Sequence, residues 1–199
     1  MKEKILQIDH SWLLSVNHFA NSSRFWRDVF QCFGVYLIYL VPIILLVTWF
    51  WPVSPSQGGS AQGKKIALGA AFAGLFSWVI FAKILALIVK RPRPFDSGGF
   101  TEILFKRPDF SFPSDHAAFV FALTFYFYLS GYKKLAYFLV VLAVLISFAR
   151  IGIGVHFPSD ILSGAILGIL GAWIVWLFEK PLSFLYNFII AIAKHLRLA

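Results

Sequence analysis

Apolar residues run through this chain in stretches long enough to cross a bilayer, and nothing constrains its fold more. Residues 29–51 and 66–89 each exceed the ~20 positions a helix needs to traverse ~30 Å of hydrocarbon. No water is available there to satisfy backbone N–H and C=O groups, so such stretches must be helical. Shorter apolar stretches at 117–130, 135–151 and 158–178 complete an expected all-α fold, a polytopic transmembrane bundle with five spans. Residues 182–197, flanked by Lys194 and Arg197, read equally as a sixth, tilted span and as an interfacial helix. Near the N-terminus, Ile5, Ile8, Trp12, Val16 and Phe19 recur at three- and four-residue intervals among polar residues, the pattern of an amphipathic helix lying on the membrane. Asp9 and His10 interrupt any signal-peptide core there. The expected organisation is a single membrane-embedded domain over 1–199, with its motifs at about 80–165.

Charge narrows the partners. The 18 Lys and Arg give a formal net charge of +9, but they lie in loops and at span ends rather than on one soluble face. Anionic lipid headgroups therefore fit better than nucleic acid. The single cysteine, Cys32, lies within an apolar run and is expected as a core thiol. Residues 51–65, rich in Pro, Gly and Ser, read as a solvated loop. Counting crossings, the end of the second span, the start of the third and the turn between the last two share one membrane side. The other side carries Lys64, Lys65, Lys133, Lys134 and Lys180, which by the positive-inside tendency marks the cytoplasm.

On the first of those sides the chain places its costly groups: Arg91-Pro92-Arg93-Pro94, then Pro113-Ser114-Asp115-His116, then an R-x5-H-x3-D run of Arg150, His156 and Asp160. Ionisable groups inside a membrane protein point to function, and this set suits phosphate chemistry. The planar guanidinium forks of Arg93 and Arg150 match a phosphate terminus, although an arginine at a span end also snorkels to the interface. His156 can serve as a nucleophile through a neutral ring nitrogen, oriented by Asp160 one turn later; a structural pair at a helix start is the alternative. His116 can act as general acid and then base, with Ser114 capping the helix and backbone N–H groups forming an anion site. Taken alone, that segment is equally a helix start bearing a polar histidine. A metal site built from His116, His156, Asp115 and Asp160 is disfavoured, because the arginines repel a divalent cation and no compact His-x3-His pair exists.

Together these blocks resemble the type 2 phosphatidic acid phosphatase superfamily, whose pattern is K-x6-RP, PSGH and SR-x5-H-x3-D. The resemblance implies that Arg93 and Arg150 bind phosphate, that His116 is the acid, His156 the nucleophile and Asp160 its partner, with no metal or other cofactor. Three positions depart: Ala86 stands where the family has lysine, with Lys83 one turn earlier to reach the phosphate in its place; Asp115 replaces a glycine, its backbone amide facing phosphate beside Ser114; Ala149 replaces a serine. The FPSDH and RPRPF forms are similar to the bacterial undecaprenyl-diphosphatase branch. That implies an isoprenoid diphosphate as substrate, in a bacterial inner membrane, and the lysines of the opposite face put the site on the extracytoplasmic side. Phosphatidate, phosphatidylglycerol phosphate and lipid A are the alternative lipid phosphates. A lipid or anion transporter is a reading of another class, with the arginines lining a path and the histidines relaying protons.

Overall fold

The computed structural model describes residues 2–50, 59–97 and 109–198, and among these every regular element is helical. In chain order the helices are α1 (Lys2–Ala20), α2 (Arg24–Gln31), α3 (Leu40–Phe50), α4 (Gly59–Phe76), α5 (Lys83–Val89), α6 (Asp115–Leu129), α7 (Lys133–Gly152), α8 (Pro158–Leu177) and α9 (Glu179–His195). By length and composition, four helical stretches are long and apolar enough to cross a membrane: Arg24–Phe50, Ala61–Asp96, Lys133–Gly152 and Pro158–Leu177. α6 is apolar but shorter, with fifteen residues, because its first turn begins inside the protein: Ser114 is fully buried.

Two of these stretches are irregular for identifiable reasons. Between α2 and α3 the chain passes through a π-helical turn, Cys32–Tyr36, and a 3-10 turn, Leu37–Tyr39. Pro42 follows; it cannot bond back to the carbonyl four residues earlier and its ring crowds that carbonyl, which loosens the preceding turn. Between α4 and α5 lies a second π-helical turn, Ser77–Ala82, where Ser77 Oγ donates to the Ala73 carbonyl. The α5 end is abrupt. Lys90 adopts a left-handed conformation, φ 51°, and Arg91-Pro92 then forbids further helix.

The core of the bundle is the α6–α8 contact, and it is made by absence of side chains. A Cβ on Gly164 would lie 2.4 Å from the Ser114 carbonyl oxygen, and one on Gly168 would lie 2.5 Å from that of Ala118. Backbones can approach that closely only across small residues, the usual device where lipid removes the hydrophobic drive between helices. This seam registers the start of α6 against the start of α8. Residues from both helices therefore share one end of the bundle.

α1 lies across that end. Asp9, Leu13, Asn17 and Ala20 face inward, Leu13 against Ile151 and Phe157, and Asn17 donates to the Gly152 carbonyl at 2.8 Å. Ile8, Trp12 and Phe19 are exposed, whereas Val16 packs inward, so the expected apolar stripe divides between two faces. The Ile5 side chain lies outside the described residues. At the opposite end, α9 begins where α8 stops, and the Leu198 carbonyl accepts from Trp49 Nε1 near the end of α3. Both ends of α9 thus lie remote from the motifs.

Two further expectations are corrected. Cys32 is exposed on the outer surface rather than buried, because Gly34 takes the inward position of that turn, packed against Ala149. Of the anticipated loop at 51–65, the part from Gly59 onward is already helical, and 51–58 lie outside the described residues.

Candidate active site

All three motif blocks meet at the end covered by α1. Pro158 at the first position of α8 fixes the helix start, and the Asp160 carboxylate turns back to accept from the Phe157 N–H at 2.8 Å. Ser114 caps α6 by accepting from the Ala117 N–H, while its own N–H donates to the Asp160 carbonyl at 2.9 Å. Arg150 closes α7, buried, and donates through Nη1 to the Gly34 carbonyl at 3.1 Å. His156 sits in the short link between α7 and α8 and is 1% exposed.

The His156 ring is held differently from expectation. Its Nδ1 lies 2.8 Å from the Ser111 carbonyl oxygen and 3.7 Å from Asp160 Oδ2, so the carbonyl is the hydrogen-bond partner and Asp160 an electrostatic neighbour. A carbonyl can only accept, so Nδ1 carries a proton and Nε2 a lone pair. Nε2 has no hydrogen-bond partner among the described residues. Burial pushes the imidazole below its ordinary 6.5; Asp160 opposes this, and Arg150 and Arg93 add to it. The neutral ring is the favoured form.

Asp115 faces the same space. Its Oδ1 is 2.9 Å from His116 Nδ1 and 3.9 Å from His156 Nε2, and it also accepts from the His116 backbone N–H at 2.9 Å. The α6 N-terminus, expected to offer free N–H groups, is therefore occupied at His116 and Ala117 by side chains of this same segment. Two cavities adjoin Asp115. One, about 260 Å³, is lined by Lys83, Ala86, Arg93, Asp109 and Pro113 among others; the second, about 270 Å³, by Ile38, Trp78, His116 and Phe119. Lys83 thus opens onto the same space as Arg93 and Asp115.

The two arginines of RPRP do different things. Arg93, 1% exposed, spends Nε and Nη2 on Asp109 Oδ1 and Nη1 on the Val155 carbonyl at 2.9 Å. Arg91 donates through Nη1 to Asp160 Oδ1 and to Ser159 Oγ, both at 2.7 Å, and through Nη2 to Asp9 Oδ2 at 2.8 Å. Arg91, Asp9, Ser111 and Asp109 were not singled out from sequence. For Asp9 a signal existed: a carboxylate on a membrane-facing helix is costly unless paired. For Ser111 there was none, since its contribution is a backbone carbonyl.

Buried guanidiniums, two imidazoles and a helix N-terminus at one end of an apolar bundle define a membrane protein that handles a phosphate-bearing lipid. The chain belongs to the PAP2 superfamily, whose profile matches residues 66–183, more than half of its length; it is a membrane lipid phosphatase of that family. YbjG of Escherichia coli (strain K12), provisionally named an undecaprenyl-diphosphatase, is 33% identical over 146 residues, covering 70% of this chain and 68% of the relative. The undecaprenyl-diphosphatase BcrC of Bacillus subtilis (strain 168) is 29% identical over 147 residues, covering 74% and 72%. The fold is similar to the crystal structure of a transmembrane PAP2-type phosphatidylglycerolphosphate phosphatase from Bacillus subtilis, with TM-score 0.56, 23% identity and 86% of each chain covered.

Proposed function

We propose that this protein hydrolyses undecaprenyl diphosphate to undecaprenyl phosphate and phosphate through a phosphohistidine at His156. The observation that carries the chemistry is the Nε2 lone pair, buried and fixed by the Ser111 carbonyl on the far side of the ring. The isoprenoid diphosphate is favoured by the undecaprenyl-diphosphatase relatives together with the FPSDH and RPRPF forms.

In this reading the terminal phosphorus sits between the two imidazoles, and the Asp115 carboxylate swings off that line to admit it. His156 Nε2 attacks phosphorus, the bond to the bridging oxygen breaks, and His116 in its protonated form gives that oxygen its proton. Asp115 supports the His116 imidazolium, and Asp160 supports the His156 ring as it becomes cationic. His116 then takes a proton from water as the hydroxyl attacks phosphorus, the N–P bond breaks and phosphate leaves. Arg150, Arg93 and Lys83, with the backbone N–H of Asp115, carry the negative charge that builds on the phosphoryl oxygens; the Ser114 N–H, expected to help, is held by the Asp160 carbonyl. Arg93 reaches those oxygens only by loosening its hold on Asp109.

In the same reading, with α6 counted as a fifth span, α1 lies along the outer membrane surface and α9 along the inner one, and the site faces the extracytoplasmic side of a bacterial inner membrane. The lysines at the remote end support that orientation. With Cys32 replaced, Asp96→Cys is expected to label from outside intact cells and Lys134→Cys only after permeabilisation; the reverse pattern contradicts the orientation.

A substrate panel in detergent tests the activity. Phosphate release is expected to be fastest from undecaprenyl diphosphate, ahead of phosphatidate, phosphatidylglycerol phosphate and lipid A. A preference for one of the others would reassign the substrate, and no release from any would favour a transporter.

A further inference from the structure

Behind the two imidazoles lies a second buried polar cluster, of which the reaction above uses only Asp160. Asp9, projecting inward from α1 and 4% exposed, accepts from the Ser159 N–H at 2.8 Å, from Ser159 Oγ, and from Arg91 Nη2 at 2.8 Å. Arg91 stacks on the Phe157 ring at 3.8 Å and turns Nη1 to Asp160 Oδ1 at 2.7 Å. Asp160, fully buried, has its other oxygen on the Phe157 N–H and 3.7 Å from His156 Nδ1. An unbroken line of contacts therefore runs from the N-terminal helix to the back of His156.

Resting on the reading of His156 as the nucleophile, we propose that Asp9 is a positioning residue of the active site, acting on His156 through Arg91 and Asp160. The argument is one of charge. Arg91 bears one positive charge and Asp9 and Asp160 two negative ones, so the buried trio presents a net negative charge to the ring. Without Asp9, Arg91 neutralises Asp160 alone, and the support for a cationic ring is lost. Asp9 also clamps Ser159, which fixes the first turn of α8 and with it the angle of Asp160. A buried ion set of this kind costs desolvation and stabilises little by itself, so a role in placing charge accounts better for it. α1 is then part of the site as well as a helix at the membrane surface.

Among the described residues, the other charged or titratable groups facing His156 are Arg150 from α7, Arg93 from the segment after α5, and Asp115 and His116 from α6; Asp9→Asn alters none of them. The asparagine keeps the size and an acceptor for the Ser159 N–H while deleting the charge. With undecaprenyl diphosphate in detergent micelles, Asp9→Asn is expected to lower kcat about tenfold with KM within about twofold. The acid limb of kcat/KM should shift to lower pH by roughly half a unit, because the ring protonates less readily. Asp9→Glu should restore the limb. Asn17→Ala, which loosens α1 from Gly152 without changing charge, should leave the limb in place. A wild-type kcat and limb in Asp9→Asn overturns the proposal, as does an equal shift in Asn17→Ala. Failure of the wild-type protein to release phosphate would instead overturn the diphosphatase reading. In that event, 15N spectra of labelled histidine still follow the His156 titration without turnover: displacement in Asp9→Asn supports the coupling, and an unmoved titration ends it.

Discussion

The α6–α8 half of the bundle and the α3–α5 half are built on opposite terms. In the first, glycines bring backbones together so closely that no Cβ fits at Gly164 or Gly168, and the helices are regular from cap to cap. In the second, π and 3-10 turns interrupt both helical stretches, and large apolar side chains such as Ile43, Leu46, Ile84, Leu87 and Ile88 point outward. Groups that must sit within a few tenths of an ångström of one another are carried by the half with the close seam. The looser half supplies cavity wall and lipid-facing surface, where irregular helix costs little.

The sharpest way to break this contrast is at the seam. Gly168→Leu forces a side chain into the Ala118 carbonyl and should cost about 3 kcal/mol or more, abolishing activity and lowering the unfolding temperature in detergent. A stable, active Gly168→Leu protein would show that the seam does not register the site.

A smaller effect is expected from pH. Because burial depresses the His156 pKa, the neutral ring persists below the ordinary 6.5, and the acid limb of kcat/KM should have its midpoint below that value. The linkage has a definite sign: below about 6.5 the unfolded chain takes up a proton at this position that the folded one refuses, so stability declines as pH falls through that range. A midpoint above 6.5 would mean that a different group limits the rate. Smallest of all, Ile88→Ala on the exposed side of α5 should change stability by less than about 0.5 kcal/mol. A loss near that of Gly168→Leu would erase the distinction between the halves.

The same contrast explains how much the sequence discloses. Hydropathy locates the four stretches long and apolar enough to cross because lipid imposes one requirement on all of them, and the shorter α6 between them brings His116 to the same end as Arg150, His156 and Asp160. Hydrogen-bond assignments within that end are less legible. RPRP offers two arginines, and only the path of the chain after Lys90 gives Arg91 to Asp160 and Arg93 to Asp109. The partner of His156 is the backbone of Ser111, which no side-chain pattern can signal. Asp115, read as a departure from a family glycine, turns out to lie between the imidazoles, because a carboxylate at the first position of α6 is drawn to the helix N-terminus and the His116 ring together.

The central claim is that His156 Nε2 bonds to phosphorus, and trapping that bond tests it most directly. Brief exposure to terminally labelled undecaprenyl diphosphate, followed by denaturation, is expected to leave an acid-labile phosphoenzyme in the wild-type protein and none in His156→Ala, which should also release no phosphate. Full turnover by His156→Ala would contradict the account.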